Sequence, residues 1–305
     1  MLRRIFLAFA GAMALSGTAL AADLTAPPPP PVYVPPPPQW TGYFVGLNAG
    51  GTWSNNNSVT TATANVANVP GFEPLAGVSA ALATTNVPVK IDGFIGGGQW
   101  GYNYQLGNSW LGNSWNRWVV GVESDFQGLA TSNQTNNLFS QAIADVGGVA
   151  LPTNQILTAS RRVDWLGTDR ARIGFLIWPT FLAYGTGGLA YGQTRASVAI
   201  AQTVVFPGFS PGASFGSFSH TLAGWTAGGG VEWLFSPNWS LKVEYLYYDL
   251  GRVTSSTSPL VNSFLGAPVT VGAPFASTRF NGNIVRAGLN YHFNLDMPAP
   301  IVAKY

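Results

Sequence analysis

The chain has 305 residues, of which only 9% are charged and 13% aromatic, with 37 glycines, 22 prolines, no cysteine and a formal net charge of +2. Without cysteine neither a disulfide scaffold nor a cysteine metal site is available, and scattered basic residues at near-neutral charge leave no footprint for nucleic acid. A typical globular domain is about one quarter charged, yet after the N-terminal segment no apolar run reaches the roughly 18 residues of a spanning helix, so the excess apolar surface must be distributed along alternating positions.

The N-terminus reads as a secretory signal peptide over residues 1–21. Arg3 and Arg4 precede an apolar run from Ile5 to about Leu15, and Ala19-Leu20-Ala21 supplies the small-residue cleavage pattern, with cleavage between Ala21 and Ala22. The apolar run is short and broken by Gly11, Ser16 and Gly17, which disfavours a retained membrane helix. Residues 22–39 follow as a proline-rich periplasmic tether dominated by Pro27 to Pro31 and Pro35 to Pro38. Such a segment favours polyproline II and reaches roughly 35 Å at about 3.1 Å per residue. It serves as a spacer; contact with a periplasmic partner or the cell wall is the sharper alternative.

From Trp40 to Phe293 the pattern predicts eight strands, each with period-two alternation. They run from about Trp40 to Thr52, Lys90 to Tyr104, Arg117 to Gln127, Arg161 to Phe175, Phe181 to Ser197, Ser219 to Leu234, Trp239 to Gly251 and Arg279 to Phe293. The links Leu176 to Thr180 and Phe235 to Asn238 are tight, with Pro179 and Pro237 as turn formers. Trp53 to Val89, Gly128 to Ser160, Val198 to Phe218 and Arg252 to Thr278 are long, nearly uncharged and rich in Ser, Thr, Asn, Ala and Gly. Short turns opposite long loops, with strands of at least the about 9 to 11 residues that a tilted crossing needs, describe an outer-membrane barrel. The expected fold is therefore all-β, an eight-stranded antiparallel transmembrane β-barrel over residues 40–293 with long external loops. One link is irregular: L-G-N-S-W at Leu106 to Trp110 is repeated at Leu111 to Trp115, a tolerated turn insertion.

The strand charges decide which face is inside. Glu123 and Asp125, Arg170 and Arg172, Glu232, Lys242 and Glu244, and Arg286 each share a row opposite an apolar one. An Arg or Lys on the lipid face at the bilayer midplane costs about 2 to 4 kcal/mol, so the charged rows face the lumen, where four acids and four bases form an ionic network. A soluble sandwich would reverse the faces, but it has no reason to gather Tyr104, Trp118, Trp178, Trp233, Trp239, Tyr291 and Phe293 at the tight-turn ends, where an interfacial aromatic girdle belongs. Asp169 fits badly: it falls on the outward row of Trp165, Ala171, Ile173 and Phe175, so either a bulge re-aims it or it lies near the interface.

W-T-G-Y-F-V-G-L-N-A-G-G (Trp40 to Gly51), W-L-G-T-D-R-A-R-I-G-F (Trp165 to Phe175), S-P-N-W-S-L-K-V-E-Y-L-Y-Y-D-L-G (Ser236 to Gly251) and the final N-I-V-R-A-G-L-N-Y-H-F (Asn283 to Phe293) resemble the outer-membrane immunogenic proteins of alphaproteobacteria, porin-like small barrels related in fold to the OmpA transmembrane domain. Y-G-T-G-G-L-A-Y-G (Tyr184 to Gly192) and G-W-T-A-G-G-G-V-E (Gly224 to Glu232) extend the likeness across nearly all of Trp40 to Phe293; Asp169, the duplicated pentapeptide and the proline tether depart from it. The resemblance implies a surface-exposed, immunogenic barrel of the Gram-negative outer membrane that supports envelope integrity, in contact with lipid and lipopolysaccharide; a narrow passive porin is the alternative. Gly288, Tyr291 and Phe293 resemble the terminal-strand signal read by the outer-membrane assembly machinery, leaving residues 294–305 as a periplasmic tail. No enzyme is expected. His220 and His292 are the chain's two histidines and lie at opposite ends of their strands, and the glycine runs inside strands lack a following helix, so no catalytic set, metal site or cofactor is assigned.

Overall fold

The computed structural model describes residues 40–107, 116–131 and 134–293. The signal peptide with its cleavage site, the tether, most of the duplicated pentapeptide and the C-terminal tail lie outside the described residues.

Alternation of side chains across each segment builds twelve strands among the described residues. In chain order they are β1 (Gly42–Ser54), β2 (Ser58–Ala64), helix α1 (Glu73–Ala83), β3 (Thr85–Pro88), β4 (Asp92–Gln105), β5 (Trp118–Thr131), β6 (Gln134–Val146), β7 (Val149–Trp178), β8 (Phe181–Val204), β9 (Phe209–Ser236), β10 (Trp239–Ser256), β11 (Leu260–Phe264) and β12 (Ala267–Phe293). All pairings are antiparallel. They run β1-β4-β5-β7-β8-β9-β10-β12, and β12 returns to β1 through a register that opens at Tyr43↔Phe293 and ends at Ser54↔Gly282. The cycle is closed and leaves no edge on these strands at the tight-turn end, where residues 179–180 and 237–238 form two-residue turns.

The four long links predicted as loops are mostly ordered structure. β7, β8 and β9 run 30, 24 and 28 residues, well beyond a membrane crossing. β6 folds back on β7, β11 bridges β12 and β9, and β2 pairs with β12 and β3. Inside this extension lies α1. Its buried Leu75, Ala76, Ser79, Ala80 and Ala83 form one helical stripe, of which Leu75, Ala76 and Ala83 pack with Val59, Leu157, Ala159, Ile200, Val269 and their neighbours in one apolar cluster. Ser79 donates to Gln202 Oε1 at 3.1 Å, which ties the helix to β8.

Asp169 is exposed on the outward row. A register shift does occur in β7, between Val163 and Trp165, but it lies on the far side of Trp165 and leaves Asp169 pointing out. Of the two alternatives left open for this side chain the bulge is ruled out: Ser124 on β5 donates to Asp169 Oδ1 at 2.5 Å, so a neighbouring outward hydroxyl partners the carboxylate in place.

Candidate functional site

The eight charged residues singled out from the strands converge at the centre of the closed cycle. β5 brings Glu123 and Asp125, β7 Arg170 and Arg172, β9 Glu232, β10 Lys242 and Glu244, and β12 Arg286, all inward by the two-residue period. None is more than 4% exposed. Cross-strand register sets Glu123 opposite Arg170, Lys242 opposite Glu232 and Glu244 opposite Arg286.

Two arginines are the hubs. Arg170 donates from Nη1 to Glu244 Oε1 at 2.8 Å, and from Nη2 to Glu123 Oε1 at 2.7 Å and Asp125 Oδ2 at 2.9 Å. Arg286 donates from Nε and Nη2 to Glu244 Oε2 at 2.9 and 2.6 Å, and from Nη2 to Asp125 Oδ2 at 2.7 Å. Arg172 joins Glu232 at 2.6 Å and Glu123 at 3.2 Å, while Lys242 Nζ reaches Glu123 Oε1 at 2.5 Å. Buried charges persist only when paired and hydrogen-bonded. Neutral groups supply further bonds: Tyr184 to Glu244, Thr168 and Gln127 to Asp125, and Ser240 and Asn290 to Glu232.

The lumen is also filled above and below these charges. Towards the extension that carries β6, β11 and α1, Ile95, Leu166, Leu246, Tyr248, Phe280 and Ile284 pack in one buried cluster. At the turn end Trp40, Val119, Leu176, Leu182, Tyr184 and Leu234 form another. Trp40, the first residue of the first expected strand, lies just before β1, fully buried, and its indole donates to Pro179 O at 3.0 Å. No alternation marks it, because it is a single residue at an element boundary. His292 meets Ser240 Oγ at 2.8 Å with its ring near Trp40, whereas His220 is exposed beside Phe218, so the two histidines are not brought together. Among the described residues no group of three or more His, Asp or Glu is placed to hold a metal ion.

Gly288 lies inward on β12. A Cβ there would stand 3.0 to 3.1 Å from Gln99 and the Lys242 side chain, so the missing side chain makes room for the lysine. Outward at the turn end are Tyr104, Trp178, Trp233, Trp239 and Phe293, between 39% and 62% exposed, with Trp118 and Tyr291 half-buried. Tyr291 sits between Trp239 and Phe293, its ring 5.1 and 5.0 Å from theirs, and Trp118 lies 5.3 Å from Phe175.

A closed cycle of antiparallel strands with a charged interior and an outward row of Leu, Val, Ile and aromatic residues is the arrangement of a barrel whose solvent is lipid. The profile described as "Outer membrane protein beta-barrel domain" matches residues 7–293. The chain belongs to the outer-membrane β-barrel family. Its relatives in this family include the 31 kDa outer-membrane immunogenic protein of Brucella melitensis, 33% identical over 297 residues, 96% of this chain and all of that one. The 22 kDa outer membrane protein of Rhizobium leguminosarum is 30% identical over 149 residues, 49% of each chain. Among solved structures, OprG from Pseudomonas aeruginosa is similar over 84% of this chain and 98% of its own at 12% identity, with a TM-score of 0.35. The chain is accordingly an outer-membrane protein with an outer-membrane immunogenic protein among its relatives.

Proposed function

We propose that this barrel crosses the outer membrane on eight strands as a plugged, structural barrel that displays an ordered external extension, supporting the envelope and offering a surface for recognition and for antibodies. One observation carries the reading: the charged residues of the lumen are spent on one another, with side-chain exposures of 0 to 1% across their ion pairs. Small barrels of about eight strands have interiors that side chains fill, whereas aqueous pores come with about 16 to 18. The same closure argues against a passive porin and against a catalytic use of the lumenal carboxylates, none of which faces a substrate-sized space.

In this reading lipid and lipopolysaccharide surround the outward rows. The assembly machinery recognises β12 through Gly288, Tyr291 and Phe293, and the proline-rich tether spaces the barrel from the cell wall. Swelling of proteoliposomes in small sugars tests the plug. Swelling no faster than in protein-free vesicles is expected; swelling that scales with protein content would establish the porin.

A further inference from the structure

The outward row of β8 changes character step by step: Leu189, Tyr191, Gln193, Arg195, Ser197. Tyr191 packs against Trp165 of β7, ring centroids 6.2 Å apart, and Trp165 packs against Phe126 of β5 at 5.1 Å. These aromatics mark the external interface, opposite the turn-end girdle. Arg195 lies four residues beyond Tyr191, about 13 Å along the strand and about 10 Å in height at the usual barrel tilt, which puts a side chain of arginine's length within reach of the headgroups.

Register sets Arg162 of β7 directly opposite Arg195. Two like charges in that relation repel. Asp164 lies between them and accepts from Arg162 Nε at 2.9 Å and from Arg195 Nε at 2.8 Å. One carboxylate thus serves two guanidiniums, and the two arginine side chains stay 37% and 50% exposed. They border an open depression of about 380 Å³ whose wall continues with the hydroxyls of Thr135, Ser160, Ser217 and Ser219. It opens sideways, on the membrane-flanking wall of the barrel.

We propose that this depression binds the phosphorylated sugar headgroup of an outer-leaflet glycolipid, with Arg162 and Arg195 on the phosphate and the serine and threonine hydroxyls on the sugar. Guanidinium presents a planar fork of donors that matches phosphate oxygens, and the acyl chains continue down past Tyr191 and Trp165. Asp164 positions both arginines at the cost of some repulsion towards the phosphate. The assignment rests on the external orientation of the extension adopted above and names a site and a ligand class within it.

Native mass spectrometry of the purified barrel with added diphosphorylated lipid A tests it. Wild-type protein and an Arg252→Gln control, altered at an exposed arginine outside the depression, are expected to retain the lipid. Arg162→Gln/Arg195→Gln and, independently, Ser219→Glu are expected to weaken binding at least tenfold, as is removal of the phosphates from the lipid. A heat-dependent gel shift verifies folding of each variant. Unchanged binding in both variants, or equal binding of the dephosphorylated lipid, would overturn the site. Inorganic phosphate binding as tightly as lipid A would overturn the lipid assignment in favour of a soluble anion. Because the chain has no cysteine, Ser219→Cys labelled by an impermeant maleimide on intact cells checks the orientation separately: labelling only after lysis would overturn the orientation, not the chemistry of the depression.

Discussion

Arg170 and Glu244 are 74 residues apart in sequence, on strands that do not pair, yet Arg170 Nη1 donates to Glu244 Oε1 at 2.8 Å with both side chains fully buried. Their bond spans the lumen from β7 to β10 and ties together walls that the backbone ladder links on one side through β8 and β9 and on the other through β5, β4, β1 and β12.

Removing one partner of such a pair leaves the other charge buried and uncompensated, which typically costs about 3 to 5 kcal/mol. Arg170→Leu and Glu244→Leu should each lower the denaturant midpoint of the refolded barrel far more than Thr60→Ala, at an exposed position of β2. Midpoints equal to that of Thr60→Ala would mean that water already compensates these charges.

A barrel with no free edge among its crossing strands resists detergent until heated. The protein should migrate as a compact species on unboiled gels and more slowly after boiling. A single boiled-like species in every condition would contradict closure through the β1 and β12 pairing.

The stacked Trp239, Tyr291 and Phe293 lie outward at the turn end, where amphipathic rings are favoured. Phe293→Ser and Tyr291→Ser should sharply reduce membrane insertion, while deletion of residues 294–305 leaves it largely intact. The reverse pattern would move the assembly signal into the deleted residues.

Leu75 of α1 is fully buried in the apolar cluster of the extension, and truncating a buried leucine costs about 2 to 5 kcal/mol. Leu75→Ala should speed proteolysis of the external extension on intact cells without abolishing the heat-dependent gel shift. Unchanged proteolysis would show that the extension holds without its helix.

Much of the crossing region was legible because the two-residue period forces a choice of face, and one buried face with charges on it admits one register. Glu123, Arg170, Lys242 and Arg286 could be assigned inward for that reason alone. The external part was harder. Gln155, Leu157 and Ala159 alternate inward on β7 with Asn154, Ile156 and Thr158 outward, but polar and apolar residues occur on both rows, so hydrophobicity does not separate them. The E-P-L-A-G-V-S-A-A-L-A segment offered a helix signal, with glutamate and proline in the first turn and alanine, the best helix former, recurring through it. Its composition of small residues resembled the surrounding loops. Asp169 was legible as an anomaly and not as a geometry, since its partner Ser124 comes from another strand.

The plugged lumen is tested most directly by single-channel recording of the purified, refolded protein in planar bilayers. Glu123, Asp125, Glu232 and Glu244 neutralised by Arg170, Arg172, Lys242 and Arg286 at the centre, with apolar clusters on both sides, predict no stable openings at moderate voltage in the wild-type protein. Long-lived, reproducible channels of one conductance would contradict the account and make the barrel a porin.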